Sequence, residues 1–153
     1  MNPRERIESE LLEMLGPRLR GYLPSDGHEN PAIWVSQTFG IMKSAVASGD
    51  TQAISLACEL IEQDPKLPFG KLVKSDLARA LKKQIVKVIA SERRQVLTAT
   101  AKLLNQEYAP RELEDYCKLV KKFPREEVLL ALCSVSPRNT KSTHLLGYLR
   151  DDA

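Results

Sequence analysis

Histidine, glycine and aromatic residues are all scarce in this chain of 153 residues. There are two histidines, His28 in a Ser-Asp-Gly-His turn and His144 beside Ser142 and Thr143. With no His-Glu-x-x-His pair and no Cys-x-x-Cys, no local zinc motif exists. The seven glycines, at 16, 21, 27, 40, 49, 70 and 147, never come closer than five residues. That spacing excludes a local glycine-rich phosphate loop. A Gly-x-Ser-x-Gly nucleophile elbow is also missing.

The three cysteines are far apart and odd in number, which suits reduced thiols better than a disulfide framework. Each sits at helical spacing among apolar residues: Cys58 with Ile54 and Ile61, Cys117 with Leu113 and Val120, Cys133 with Leu129. A cysteine so placed is expected to act as a small core hydrophobe rather than a nucleophile. No apolar run reaches ~18 residues, so no membrane span is expected. The opening Met1-Asn2-Pro3-Arg4-Glu5 has no apolar signal segment. The expectation is a cytoplasmic protein with no catalytic, metal or cofactor site. Carboxylates such as Glu5, Glu8, Glu10 and Glu13 alternate with arginines and read as solvated helix surface, not as an acid/base pair.

What the chain does have is helix punctuation. Asn30-Pro31 offers a cap followed by a proline at the first helical position. Val35, Phe39, Met42 and Val46 then fall on one face, widened by Ile33, Trp34, Ile41 and Ala45. A helix apolar around most of its circumference is expected at the centre of the fold. Gly49-Asp50-Thr51 closes it and caps the next, whose stripe is Ile54, Ala57, Cys58 and Ile61. Residues 66–74, with Pro68 and Gly70, read as a loop with one short helical turn, after which Ser75-Asp76 caps a helix with the stripe Leu77, Leu81, Ile85 and Val88.

Further helices carry Val96, Leu97, Leu103 and Leu104; Leu113, Tyr116, Cys117 and Val120; Val128, Leu129, Leu132 and Cys133; and Leu145, Leu146 and Leu149. The first segment places Ile7, Leu11, Leu12 and Leu15 on one side and stops at Gly16-Pro17. Period-two alternation does not persist anywhere. The expected fold is all-α, one domain over 1–153: a compact array of seven to eight short antiparallel helices in hairpins, loosely solenoid-like. The paired helices starting at 31, 75 and 110 give no fixed repeat.

Charge is the strongest feature. The net +3 hides a partition along the chain. Residues 1–65 hold 5 basic and 10 acidic side chains, 66–103 hold 10 basic and 2 acidic, and 104–153 hold 8 of each. On a helix spanning about 76–90, Leu77, Leu81, Ile85 and Val88 cover an arc of about 80°. Arg79, Lys83 and Lys87 form an electropositive ridge roughly opposite, broadened by Lys82 and interrupted by Val86; Arg93 and Arg94 follow. Like charges four residues apart oppose helix formation by a few tenths of a kcal/mol.

An ordinary solvated face is the plain alternative to a binding ridge. Three acidic counterparts suit one: the first helix with Glu5, Glu8 and Glu13, another protein, or nucleic acid. The leading expectation is a non-catalytic protein-interaction or adaptor module that uses Arg79, Lys82, Lys83, Lys87, Arg93 and Arg94 on an acidic protein surface. Second comes a nucleic-acid-binding protein using the same 66–103 segment on phosphates, although Phe69 is its only aromatic residue. Third is an enzyme whose site gathers from distant residues. Self-association is compatible with each.

Overall fold

The structure is a computed structural model and describes residues 1–151. Among these the chain forms helices and no strand: α1 (Pro3–Leu15), a 3₁₀ turn (Pro17–Tyr22), α2 (Pro31–Ala47) and α3 (Thr51–Gln63). Then follow α4 (Gly70–Lys83), a second 3₁₀ turn (Ile85–Lys87), α5 (Ala90–Leu104), α6 (Glu112–Val120), α7 (Arg125–Ala131) and α8 (Thr140–Arg150). The caps are side-chain acceptors on otherwise orphaned N–H groups. Asn30 accepts from Ala32 and Ile33, Asp50 from Gln52, and Asn139 from Ser142. Each such cap stabilises its helix by about 1 kcal/mol.

The helices stack in two layers. α2, α4, α6 and α8 follow one another in one layer, and α3, α5 and α7 in the other. The most extensive contacts join α3 to α5 and α4 to α6, so each helix packs on the one two places along the chain. α1 and the first 3₁₀ turn cover the starting end against α2 and α3. The pairs begin at Pro31, Gly70 and Glu112, 39 and 42 residues apart. That is close to the ~40-residue spacing of helix-pair solenoids. The irregular spacing expected from the sequence came from starting α4 five residues late.

Several expectations need correction. Ser75 and Asp76 do not cap α4: Ser75 is buried inside the helix, and Asp76 faces Lys43 and Arg79. The helix starts at Gly70, after Phe69 turns the backbone left-handed at φ 55°. It also ends early. Ile85-Val86-Lys87-Val88-Ile89 holds four β-branched residues in five, which lose χ1 freedom in a helix. At this point the Gln84 amide donates to the carbonyl of Ala47, 2.8 Å away.

α2 is not the central helix, because Ile33 and Ile41 remain exposed on its outer side. That place belongs to α3, which buries Ala53, Ile54, Leu56, Ala57, Cys58, Leu60 and Ile61 between its neighbours. Cys133 and Leu129 lie outside the core, since α7 stops at Ala131 and turns only Val128 and Leu132 inward. The buried apolar side chains form one continuous cluster. Each fully buried Leu or Ile in it contributes about 1.5–3 kcal/mol.

Candidate functional site

The six cations expected to meet a partner, four of them on one ridge, separate into two groups. Arg79 donates to both carboxylate oxygens of Asp115 at 3.2 Å and to Asp76 at 3.2 Å. Arg93 is bidentate on Glu127 at 2.7 and 2.9 Å and also donates to the carbonyl of Val88 at 2.8 Å. Its guanidinium holds the Glu127 carboxyl below the usual carboxylate range. Lys87 lies past the end of α4, so it is not on a continuous helical ridge with Arg79 and Lys83. Its ammonium turns back to the carbonyl of Gly49 at 3.1 Å, beyond the C-terminus of α2, where a cation is favoured. These three side chains tie elements together. Their acceptors come from α4, α6, α7 and the α2–α3 turn, while acidic α1 packs on α2, α3 and the first 3₁₀ turn.

Lys82, Lys83 and Arg94 are different. Among the described residues no acceptor lies within hydrogen-bond or ion-pair distance of them. Between them in the chain runs the α4–α5 connector, where Val86 is 96% and Ile89 59% exposed. Val86, which interrupts the basic face in the sequence, is left uncovered. Arg94 also lines a shallow groove of about 540 Å³ between α5 and α7, floored by Leu97, Ala101 and Ala131, with Leu130 exposed at its edge. Along the chain, therefore, cations without an internal hydrogen bond or ion pair among the described residues flank the uncovered aliphatic side chains of the connector.

A second assembly escaped the sequence reading. A cleft of about 620 Å³ opens where the α3–α4 loop meets the α5–α6 loop. In its wall Lys74, only 6% exposed, donates to Asp64 at 2.6 Å and lies 3.9 Å from Glu112, which is 4% exposed. The other Glu112 oxygen, Oε1, is buried with no donor, and so is the hydroxyl of Tyr116 one turn along α6. Burial, then the nearby charges of Glu112 and Asp64, push the Tyr116 phenol well above its ordinary range. Extending α4 back to Gly70 would have exposed the signal. Lys74 then falls on the stripe of Val73, Leu77 and Leu81, as Glu112 falls on that of Leu113 and Tyr116. A charge on an inner stripe needs a buried partner.

Other chemistry is sparse on the surface described. His28 accepts from the Asn30 N–H within its turn, and His144 is exposed on α8. Among the described residues no three His, Cys, Asp or Glu side chains gather closely enough to hold a metal ion. Among the described residues no helix is long and apolar enough to cross a membrane. Compared with protein-family models, with curated proteins and with solved structures, the chain matches none.

Proposed function

We propose that the protein is a non-catalytic helical interaction module that binds an acidic, apolar-studded segment of another protein at its α4–α5 connector. The observation that carries this reading is the exposure of Val86 and Ile89 between Lys82, Lys83 and Arg94, none of which makes an internal hydrogen bond or ion pair among the described residues, although Arg94 lies near enough to Glu127 to favour its charged form. Exposed β-branched side chains gain from being covered, and flanking cations steer an acidic partner and fix its orientation. Arg94 also lines the α5–α7 groove, whose aliphatic floor suits helix-in-groove recognition and whose wall includes Glu127. Connector recognition of nucleic acid is less well supported, because its exposed apolar residues are aliphatic and offer no ring for base stacking.

The test uses a synthetic amphipathic peptide of alternating glutamate and leucine turns, followed by fluorescence anisotropy at low and high salt. Binding is expected to weaken with salt and to fall at least about tenfold in Lys82→Glu/Lys83→Glu/Arg94→Glu and in Val86→Asp. Equal binding by both variants, or none by the wild-type chain at low salt, overturns the reading. A labelled oligonucleotide bound more tightly than the peptide, with the same dependence on the three cations, replaces it with nucleic-acid binding.

A further inference from the structure

The helix α2 has the composition of a buried helix and the position of an outer one. Lys43 is the only charged side chain among its 17 residues, whereas α4 and α5 expose Lys71, Lys83, Arg94 and Lys102 to water. A helix that turns one side to solvent covers that side with charged and polar groups. The outer side of α2 instead holds Ile33, Ser36, Gly40, Ile41 and Ser44. Phe69 and Leu72 stand beside it at the start of α4. With Ile33 and Ile41 they are 39–61% exposed. Apolar side chains gathered in this way on an outer surface mark a contact with another molecule.

The shape of this face is a low ridge between two shallow grooves, and Ser36 and Gly40 line both of them. One groove, of about 360 Å³, reaches from the ridge to Phe69 and Leu72. The other, of about 540 Å³, reaches to Pro24 and Ile41. Gly40 weakens the helix relative to alanine, yet no atom outside α2 lies within 4 Å of where its Cβ would stand. The packing of the chain itself therefore does not require the glycine, whereas a molecule approaching from outside does. Charge is balanced here. The only charged residues lining the two grooves are Lys43 and Asp76, one of each sign and 3.9 Å apart.

We infer that two copies of the chain associate through this face about a two-fold axis, the Ile41 side of each lying in the groove between Gly40 and Leu72 of the other. An isologous contact needs a projecting part and a receiving part on one surface, and Ile41 beside the α2–α4 groove supplies both. It also needs a surface that does not repel its own copy. The outer side of α1, with Glu10 and Glu13, and the connector, with Lys82, Lys83 and Arg94, each carry an excess of one sign and repel themselves. The face of α2 pairs its single cation with a single anion. A strongly acidic or strongly basic partner finds no complement on it, and a second copy meets no opposing charge.

Sedimentation equilibrium of the full chain tests the assignment. A dimer is expected with Kd below about 1 mM, and added salt is expected to leave it unchanged or tighten it, since no net charge is neutralised in the contact. Gly40→Arg sets a long side chain on the ridge, and Ile41→Asp sets a charge beside it. Each is expected to weaken the dimer about tenfold or more. Arginine forms helices better than glycine, so in dilute solution, where both are monomers, Gly40→Arg is expected to melt no lower than the wild type. That separates loss of contact from loss of fold. The connector variant Lys82→Glu/Lys83→Glu/Arg94→Glu is expected to dimerise as the wild type does, so this inference and the peptide-binding reading fail independently. A wild-type chain still monomeric at about 1 mM overturns the inference; if Gly40→Arg then weakens its binding of the glutamate–leucine peptide, the face belongs to a different protein. A dimer indifferent to both Gly40→Arg and Ile41→Asp also overturns it. So does a dimer that salt dissociates and the connector variant abolishes, which is the signature of acidic α1 meeting the basic connector end to end.

Discussion

Replacing Lys74 by methionine keeps the length of the side chain and removes the cation that stands between Asp64 and Glu112. The two carboxylates respond differently because their surroundings differ. Asp64 is 32% exposed at its side chain and can regain water, whereas Glu112 is 6% exposed and cannot. At 3.9 Å the attraction between Lys74 and Glu112 is about 4 kcal/mol at an effective dielectric constant of ~20. Without it, Glu112 holds a buried charge with neither oxygen paired. Lys74→Met is therefore expected to lose about 3–5 kcal/mol of stability, or roughly 10 °C in Tm for a chain of this size.

The second half of the experiment isolates the cause. In Lys74→Met/Glu112→Leu no buried charge is left behind, and replacing a buried ion pair by apolar side chains is often neutral or stabilising. The double variant is expected to recover all but about 1 kcal/mol of the loss. Urea unfolding followed through the fluorescence of buried Trp34 reads both changes. A double variant as unstable as the single one would refute the argument. It would show that the lysine stem, packed in the helix stripe, matters rather than its charge.

Other consequences follow from single contacts. Gly49 has φ 83°, and a Cβ there would come within 2.5 Å of the Lys87 ammonium, so Gly49→Ala is expected to lose about 1–2 kcal/mol in thermal unfolding. The bidentate contact of Arg93 with Glu127 joins α5 to α7; a double-mutant cycle of Arg93→Ala and Glu127→Ala is expected to give a coupling of about 0.5–1 kcal/mol, since both side chains are partly solvated. The Glu127 pKa is lowered in the fold, so this contribution is complete above the unfolded-state carboxylate pKa and is lost as pH falls through the folded value. A cycle with the same coupling at acid and neutral pH would contradict that sign. Native chains are expected to react with a water-soluble disulfide reagent at Cys133 alone. Burial raises the Cys58 thiol strongly and pushes Cys117 up to about 12, whereas Cys133 is exposed. Three thiols reacting without denaturant would disprove the burial.

The helical class, most helix starts and much of the core were legible in the sequence. Caps and apolar stripes act within one or two turns, so Asn30-Pro31, Asp50 and the spacing of Ile54, Ala57 and Ile61 suffice to specify them. The limits of α4 were harder to read. Ser75-Asp76 resembles a cap as strongly as any true one, and only the burial of Val73 and Lys74 against neighbouring helices shows that the helix had already begun. At its other end, the β-branched run from Ile85 to Ile89 carried a local warning that a simple apolar periodicity overrode.

The charges show where local reading stops. Along the chain, the excess of cations from 66 to 103 is a sequence property. Which of them face water is a tertiary one, because an ion pair is decided by residues brought together from afar. Arg79 meets Asp115 across 36 positions and Arg93 meets Glu127 across 34, both consequences of stacking alternate helices in two layers. The same stacking brings Lys74 to Glu112 at the cleft, while Lys82, Lys83 and Arg94 are left without acceptors among the described residues. Sequence alone determined that the chain is helical and where its cations lie. Only the packed layers decided which of those cations hold the fold together and which remain for a ligand or partner.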